Sequence, residues 1–134
     1  MSKMEERIVE NAVIESAELR IERGSFLVLA LHLKYAKSGG QSFCDTVLFN
    51  SSKKHDSGLG NFAGRFISDV FDIVGVENLN KMAGKTIRAD HSWGRIYGIG
   101  HIIEDKWFYP ERLVAEIKGG YGVNQEDKRH IREV

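Results

Sequence analysis

Trp93, Arg95 and Tyr97 alternate along one short stretch, with Arg88 and Lys85 just upstream. Single-stranded nucleic acid is held by stacking bases on aromatic rings while Lys and Arg follow the phosphates, and these residue types at this spacing offer both. Phe43 and Tyr35 are further aromatics, read here as core side chains rather than stacking platforms. Trp93 sits beside Ser92 and Gly94 in a turn, where an indole is as readily exposed as buried. Lys53, Lys54 and Arg65 flank a glycine-bearing segment, Gly58 to Gly64, ahead of an apolar helical pattern. Backbone N–H groups at a helix start can hold an anion. The segment fits neither the dinucleotide fingerprint nor a Walker loop, so a flexible loop with tight packing at Gly64 is the preferred reading.

Other chemistries find less support. His91 and His101 with Cys44 or Asp90 would have to converge from separate elements to bind a metal, and no Cys-x-x-Cys or His-x-x-x-His pair is present. No metal site or cofactor is expected. Cys44 as a nucleophile, with His32 or His101 as its base, lies mid-strand on an apolar-looking face, which predicts an inert thiol. Glu104 and Asp105 are adjacent, so in a strand they point apart and in a turn they are solvated. With no nucleophile, base and acid to assemble, a binding protein is expected and not an enzyme.

These side chains need a scaffold. A chain of 134 residues is one domain long, with residues 1–118 folded and 119–134 a charged, flexible tail. Charge is balanced at 19 basic and 19 acidic residues, and residues 81–134 hold 10 Lys/Arg against 8 Asp/Glu. That balance disfavours a binder driven mainly by phosphate neutralisation. No apolar run approaches a membrane span, no signal sequence opens the chain, and one cysteine suits a reducing compartment. A cytoplasmic location is expected.

Residues 1–10 read as a frayed or helical lead-in. Ala12 to Ile21 alternates apolar with charged residues, as a half-buried strand does. Glu22-Arg23-Gly24 is a turn. Ser25 to Tyr35 is a central strand, with Leu27, Leu29, Leu31, Leu33 and Tyr35 on one face. Lys37 to Gly40 is a second turn, and Gln41 to Phe49 a third strand, with Phe43, Val47 and Phe49 opposing Cys44, Thr46 and Leu48. Phe62, Phe66, Ile67, Val70, Phe71, Ile73 and Val74 then recur at helical spacing, with Asn61 as N-cap and Gly75 as stop. Val76 to Met82 is a short helical turn or loop. Thr86–Asp90 and Arg95–Ile103 make a hairpin across residues 91–94. Trp107-Phe108 is expected to fold back and close the base of a barrel, and Glu111 to Lys118 is a helix or a strand. Gly98 and Gly100 share one side of the last strand, permitting sharp curvature or close approach of another backbone.

The order β-β-β-α-β-β predicts a β-rich α+β fold: a small OB-like five-stranded antiparallel barrel with one packed helix, or else a curved open sheet. The run Trp93-Gly94-Arg95-Ile96-Tyr97-Gly98-Ile99-Gly100-His101-Ile102-Ile103-Glu104-Asp105-Lys106-Trp107-Phe108, preceded by Phe71-Asp-Ile-Val-Gly-Val76 and Gly84-Lys85, resembles small phage and prophage proteins. The element order from Ala12 to about Ile103 is similar to that of phage-encoded single-strand-binding-like proteins of OB type. The resemblance implies a phage-type protein in a bacterial cytoplasm that binds single-stranded nucleic acid with an affinity falling steeply as salt rises. The other function it implies is anti-defence, anti-CRISPR-like: binding a host immune effector or sequestering a nucleotide signal, with a homo-oligomer possible.

Overall fold

The computed structural model describes residues 6–37, 39–44, 46–52 and 61–119. Its spine is β1 (Ile8–Glu22), a 15-residue strand that pairs antiparallel with two neighbours. Residues 12–22 run against β2 (Phe26–Tyr35), and residues 8–13 run against β5 (Thr86–Ser92). β2 carries β3 (Gly39–Phe43) and β4 (Val47–Asn50) on its other edge. β5 continues into β6 (Arg95–Gly100), and β6 pairs with β7 (Trp107–Phe108). The order β3-β2-β1-β5-β6-β7, with β4 on β2, is one antiparallel sheet. It curls until β3 lies alongside β6, but the two exchange no ladder and the sheet does not close.

Helix α1 (Phe62–Val74) fills the concave face with Phe62, Phe66, Val70, Ile73 and Val74. Against them stand Ile14, Leu29, Leu31, Leu33, Phe43, Ile87, Ile99 and Phe108. Phe66 is the hinge of this packing, with its ring 4.9 Å from Phe108 and 6.1 Å from Phe43. Gly75 stops the helix in the left-handed conformation, at φ 84°, and its N–H bonds Phe71 O at 2.8 Å. A 3₁₀ turn at Leu79–Lys81 leads into β5, and α2 (Pro110–Gly119) ends the described chain. No helix among the described residues is long and apolar enough to cross a membrane.

Several expectations are corrected. Among the described residues, seven strands replace five and two helices replace one. The lead-in is strand from Ile8, because its charged side chains find partners on β5. The expected third strand is two, β3 and β4: Phe43 and Leu48 are both buried, which an unbroken alternation cannot achieve, and Val47 and Phe49 are exposed. Gly39 and Gly40 belong to β3 rather than to the turn. Asn61 precedes α1 without a capping bond from its side chain, and Gly64 is exposed with open space where a Cβ would stand. Trp107-Phe108 does fold back, onto β6 at the sheet edge. Residues 53–60 and 120–134, hence Lys53, Lys54, Gly58 to Gly60 of the glycine-bearing segment and all of the expected tail but Gly119, which ends α2, lie outside the described residues.

Two bulges set which side chains reach the site. One lies in β1 between Ile14 and Ser16, and one between Asp90 and His91 of β5 leaves Tyr97 of β6 as the extra residue. The second allows Ile96 and Ile99, three apart, to enter the core together while Tyr97 faces out.

Candidate functional site

β5 ends in three consecutive buried polar residues, Asp90, His91 and Ser92, before Trp93 and Gly94 turn the chain. Such a run is tolerable only if every polar atom is partnered, and no side-chain polar atom buried among the described residues lacks a hydrogen bond. His91 points to the concave side. Its Nε2 lies 2.7 Å from Glu10 Oε2, and its ring stacks on Tyr35 with centroids 4.2 Å apart. Tyr35 donates to Gln41 Oε1 at 2.5 Å, and Gln41 Nε2 donates to Ser92 O at 3.0 Å. That last bond crosses the gap between β3 and the β5–β6 turn, so one glutamine stitches the seam the ladder leaves open.

Asp90 lies on the opposite face, 0% exposed. It accepts from Arg7 Nε at 3.1 Å, Arg7 Nη2 at 2.8 Å and the Tyr109 hydroxyl at 2.6 Å. Arg7 also stands over the Tyr97 ring, 4.1 Å from its centroid, and the Tyr97 hydroxyl is 3.2 Å from Ser92 Oγ. Gly98 and Gly100 make room for this layer: a Cβ on either would stand 2.6–2.7 Å from ring carbons of Tyr109 or Trp107. The close approach expected at these glycines is therefore by aromatic side chains.

On the His91 side opens a cleft of about 790 Å³, lined by Glu6, Ile8 and Glu10 of the N-terminal segment, by Tyr35, Gly40 and Gln41, and by His91 to Trp93. Lys37 lies at its edge. Trp93 stands at the mouth and is 90% exposed, the most exposed large apolar side chain among the described residues. An indole so placed contributes almost nothing to the core.

The site residues expected from the sequence separate into two groups. Trp93, Arg95 and Tyr97 come together on one hairpin, but Arg95 lies over Tyr97 at 4.6 Å and reaches Glu111 at 3.4 Å. With Arg7 on the same ring, Tyr97 is covered by guanidinium groups. Arg88 donates to His101 O and Glu104 O, both at 2.8 Å, and lies over Trp107, fastening the 101–106 loop. Arg65 reaches Glu116 at 3.4 Å, joining α1 to α2, and Lys85 is exposed at the far end of β5. Tyr35 and Phe43 are buried, as read from the sequence. His32 bonds Ser42 and Glu18, and His101 Nδ1 accepts from the N–H groups of Ile103 and Glu104. Among the described residues no three His, Cys, Asp or Glu side chains converge as metal ligands. Arg7, Glu10, Gln41 and Tyr109 were missed, because their partners are distant in sequence.

Tyr35 and Tyr109 have their hydroxyl pKa raised, both chiefly by burial. The Glu10 charge adds to this at Tyr35, and the hydrogen bond to Asp90 adds to it at Tyr109. The folded protein therefore keeps both protons beyond about pH 10, where an unfolded chain loses them. Above that pH the unfolded state binds fewer protons, so stability must fall as pH rises; below it the contribution is whole. The urea midpoint is expected to hold steady up to about pH 10 and then drop, with part of the tyrosinate absorbance at 295 nm appearing only on unfolding. A midpoint that stays level through this range contradicts the assignment.

No family model, curated protein or solved structure matches this chain.

Proposed function

We propose that the protein is a non-enzymatic, OB-type module that binds single-stranded nucleic acid by stacking bases on Trp93 at the mouth of the cleft. The strand order supports the OB reading: β1 pairs with both β2 and β5, β5 with β6, β3 lies alongside β6, and α1 follows the β2-paired strands. In such partly open barrels the ligand meets the second and third strands and the loops joining strands one to two and four to five. Here β5 and β6 take the places of the last two barrel strands, and their turn carries Trp93. The cleft is lined from β2 and β3 by Tyr35, Gly40 and Gln41. The exposure of Trp93 at that position is the observation that carries the reading.

Of the cations offered by the sequence, Arg88 and Arg65 are engaged elsewhere, and Glu6 and Glu10 face Lys37 across the cleft. Lys37 lines the cleft with Trp93, and Arg95 on the same hairpin keeps 41% of its side chain exposed despite its pair with Glu111, enough for one or two phosphates, so stacking dominates and salt dependence is shallow. Polarisation of a labelled oligothymidylate should show binding that weakens only about three- to sevenfold between 50 and 200 mM salt, from a slope of roughly −0.7 per phosphate contact. No change in polarisation at low salt overturns the reading. Co-elution with a protein from a bacterial host, without oligonucleotide binding, would instead favour the anti-defence function.

A further inference from the structure

β1 has more edge than the fold uses. Residues 8–13 pair with β5, and Ile14 is held by its N–H to Lys85 O at 2.8 Å and by Gly84 N–H to its own O at 2.7 Å. From Ser16 to Glu22 β1 pairs only with β2, and among the described residues no strand pairs with its other edge, although the 3₁₀ turn at Leu79–Lys81 lies against β1. A run of free N–H and C=O groups along an extended strand is a template for another strand. The side chains there are also unusual for a solvated edge: Leu19 is 44% and Ile21 53% exposed, on the face shared with half-buried Ala17. Ile21 is the cross-strand neighbour of Leu27, and Leu27 of Phe49, which is also 53% exposed. An apolar row thus crosses three strands at the end of the sheet that α1 leaves uncovered.

We propose that two copies of the chain pair antiparallel through the Ser16–Glu22 edge of β1, about a two-fold axis at Leu19, making one continuous sheet. The sequence of the edge is self-complementary in that register. Leu19 meets the partner's Leu19, and Ala17 meets the partner's Ile21, on one face. On the other face Glu18 meets the partner's Arg20, and Arg20 the partner's Glu18, with Ser16 opposite the partner's Glu22. Cross-strand pairs of opposite charge and of apolar residues are the contacts that stabilise antiparallel sheets, and a two-fold axis uses each twice. Within one chain Arg20 already reaches Glu18 at 3.2 Å and pairs with Glu22, so its guanidinium is held on the face where the partner's carboxylate arrives. Moving the axis by one residue, to Arg20, shifts the pairing by two, opposes Glu18 to the partner's Glu22, and loses the charge complementarity. The pairing uses the opposite end of β1 from Ile8 and the cleft, so each copy keeps its Trp93 open.

Light scattering on the full chain reads this out, with circular dichroism confirming that each variant is folded. The unaltered protein should show twice the 15.1 kDa chain mass. Leu19→Lys, which sets like charges on the axis, and Glu18→Arg, which opposes two arginines, should each give the chain mass. The double variant Glu18→Arg/Arg20→Glu should restore the doubled mass, because it exchanges the partners of both pairs. The proposal is overturned by a chain-mass species for the unaltered protein at every concentration, by a dimer indifferent to Leu19→Lys, or by a folded double variant that stays at chain mass.

Discussion

Trp93→Ala is expected to weaken oligonucleotide binding by roughly 5- to 150-fold, the loss of about 1–3 kcal/mol carried by one base–aromatic contact. The same change should leave the unfolding midpoint where it was, because a side chain 90% exposed has almost no buried surface to lose. Trp93→Tyr, which retains an aromatic face, should keep most of the affinity. Trp107→Ala makes the contrasting control. Trp107 covers Gly100 and lies under the Arg88 guanidinium, so its loss should lower stability and leave the intrinsic affinity of the folded fraction intact. Equal affinities for the unaltered protein and Trp93→Ala would remove Trp93 from the binding surface.

The largest expected effect on stability comes from Arg7→Met. It strands the Asp90 carboxylate, fully buried, with Tyr109 as its remaining side-chain donor. Breaking a buried ion pair from one side costs about 3–5 kcal/mol. Arg7 keeps 34% of its side chain exposed, and water entering there moves the expectation to about 2–4 kcal/mol. For a domain of this size that lowers the thermal midpoint by on the order of 10 °C. Adding Asp90→Asn should recover part of the loss, since no charge is then left without its partner. The consequence reaches the site as well: Arg7 anchors the segment whose Glu6, Ile8 and Glu10 wall the cleft, and it lies over Tyr97 on the hairpin of Trp93. Chemical denaturation of the two single variants and the double variant measures the coupling. A loss below about 0.5 kcal/mol for Arg7→Met would show the pair to be dispensable.

How much of this could be read beforehand follows from the range of each interaction. The leucines of β2 alternate, and Phe62 to Val74 recur at helical spacing, so the central strand and α1 were legible from local pattern alone. The turns at Arg23-Gly24 and at Gly75 were legible from residues that tolerate positive φ. The start of β1 was not. Arg7 and Glu10 look like a solvated lead-in until Asp90 and His91, more than eighty positions away, are placed beside them. Nor could the division of Gln41–Phe49 be read, because it depends on β3 and β4 both returning to one edge of β2. The bulge at Tyr97 did leave a trace, since Ile96 and Ile99 cannot share a face of a regular strand. Trp93 could be read as part of a turn, and it is exposed there, but the partners of the basic residues could not be read. A composition shows how many guanidinium groups exist, whereas only the fold shows that Arg88 is spent on two carbonyls and Arg65 on Glu116.

Titrating ¹⁵N-labelled protein with unlabelled oligothymidylate separates the two indoles and tests the site directly. The Trp93 indole N–H, the Gln41 side-chain amide and the backbone N–H groups of Ser92 and Gly94 are expected to shift together and saturate, while the Trp107 indole N–H stays in place. Saturable shifts centred on Trp107 or α1 with Trp93 unmoved, or no shifts at all, would contradict the proposed site.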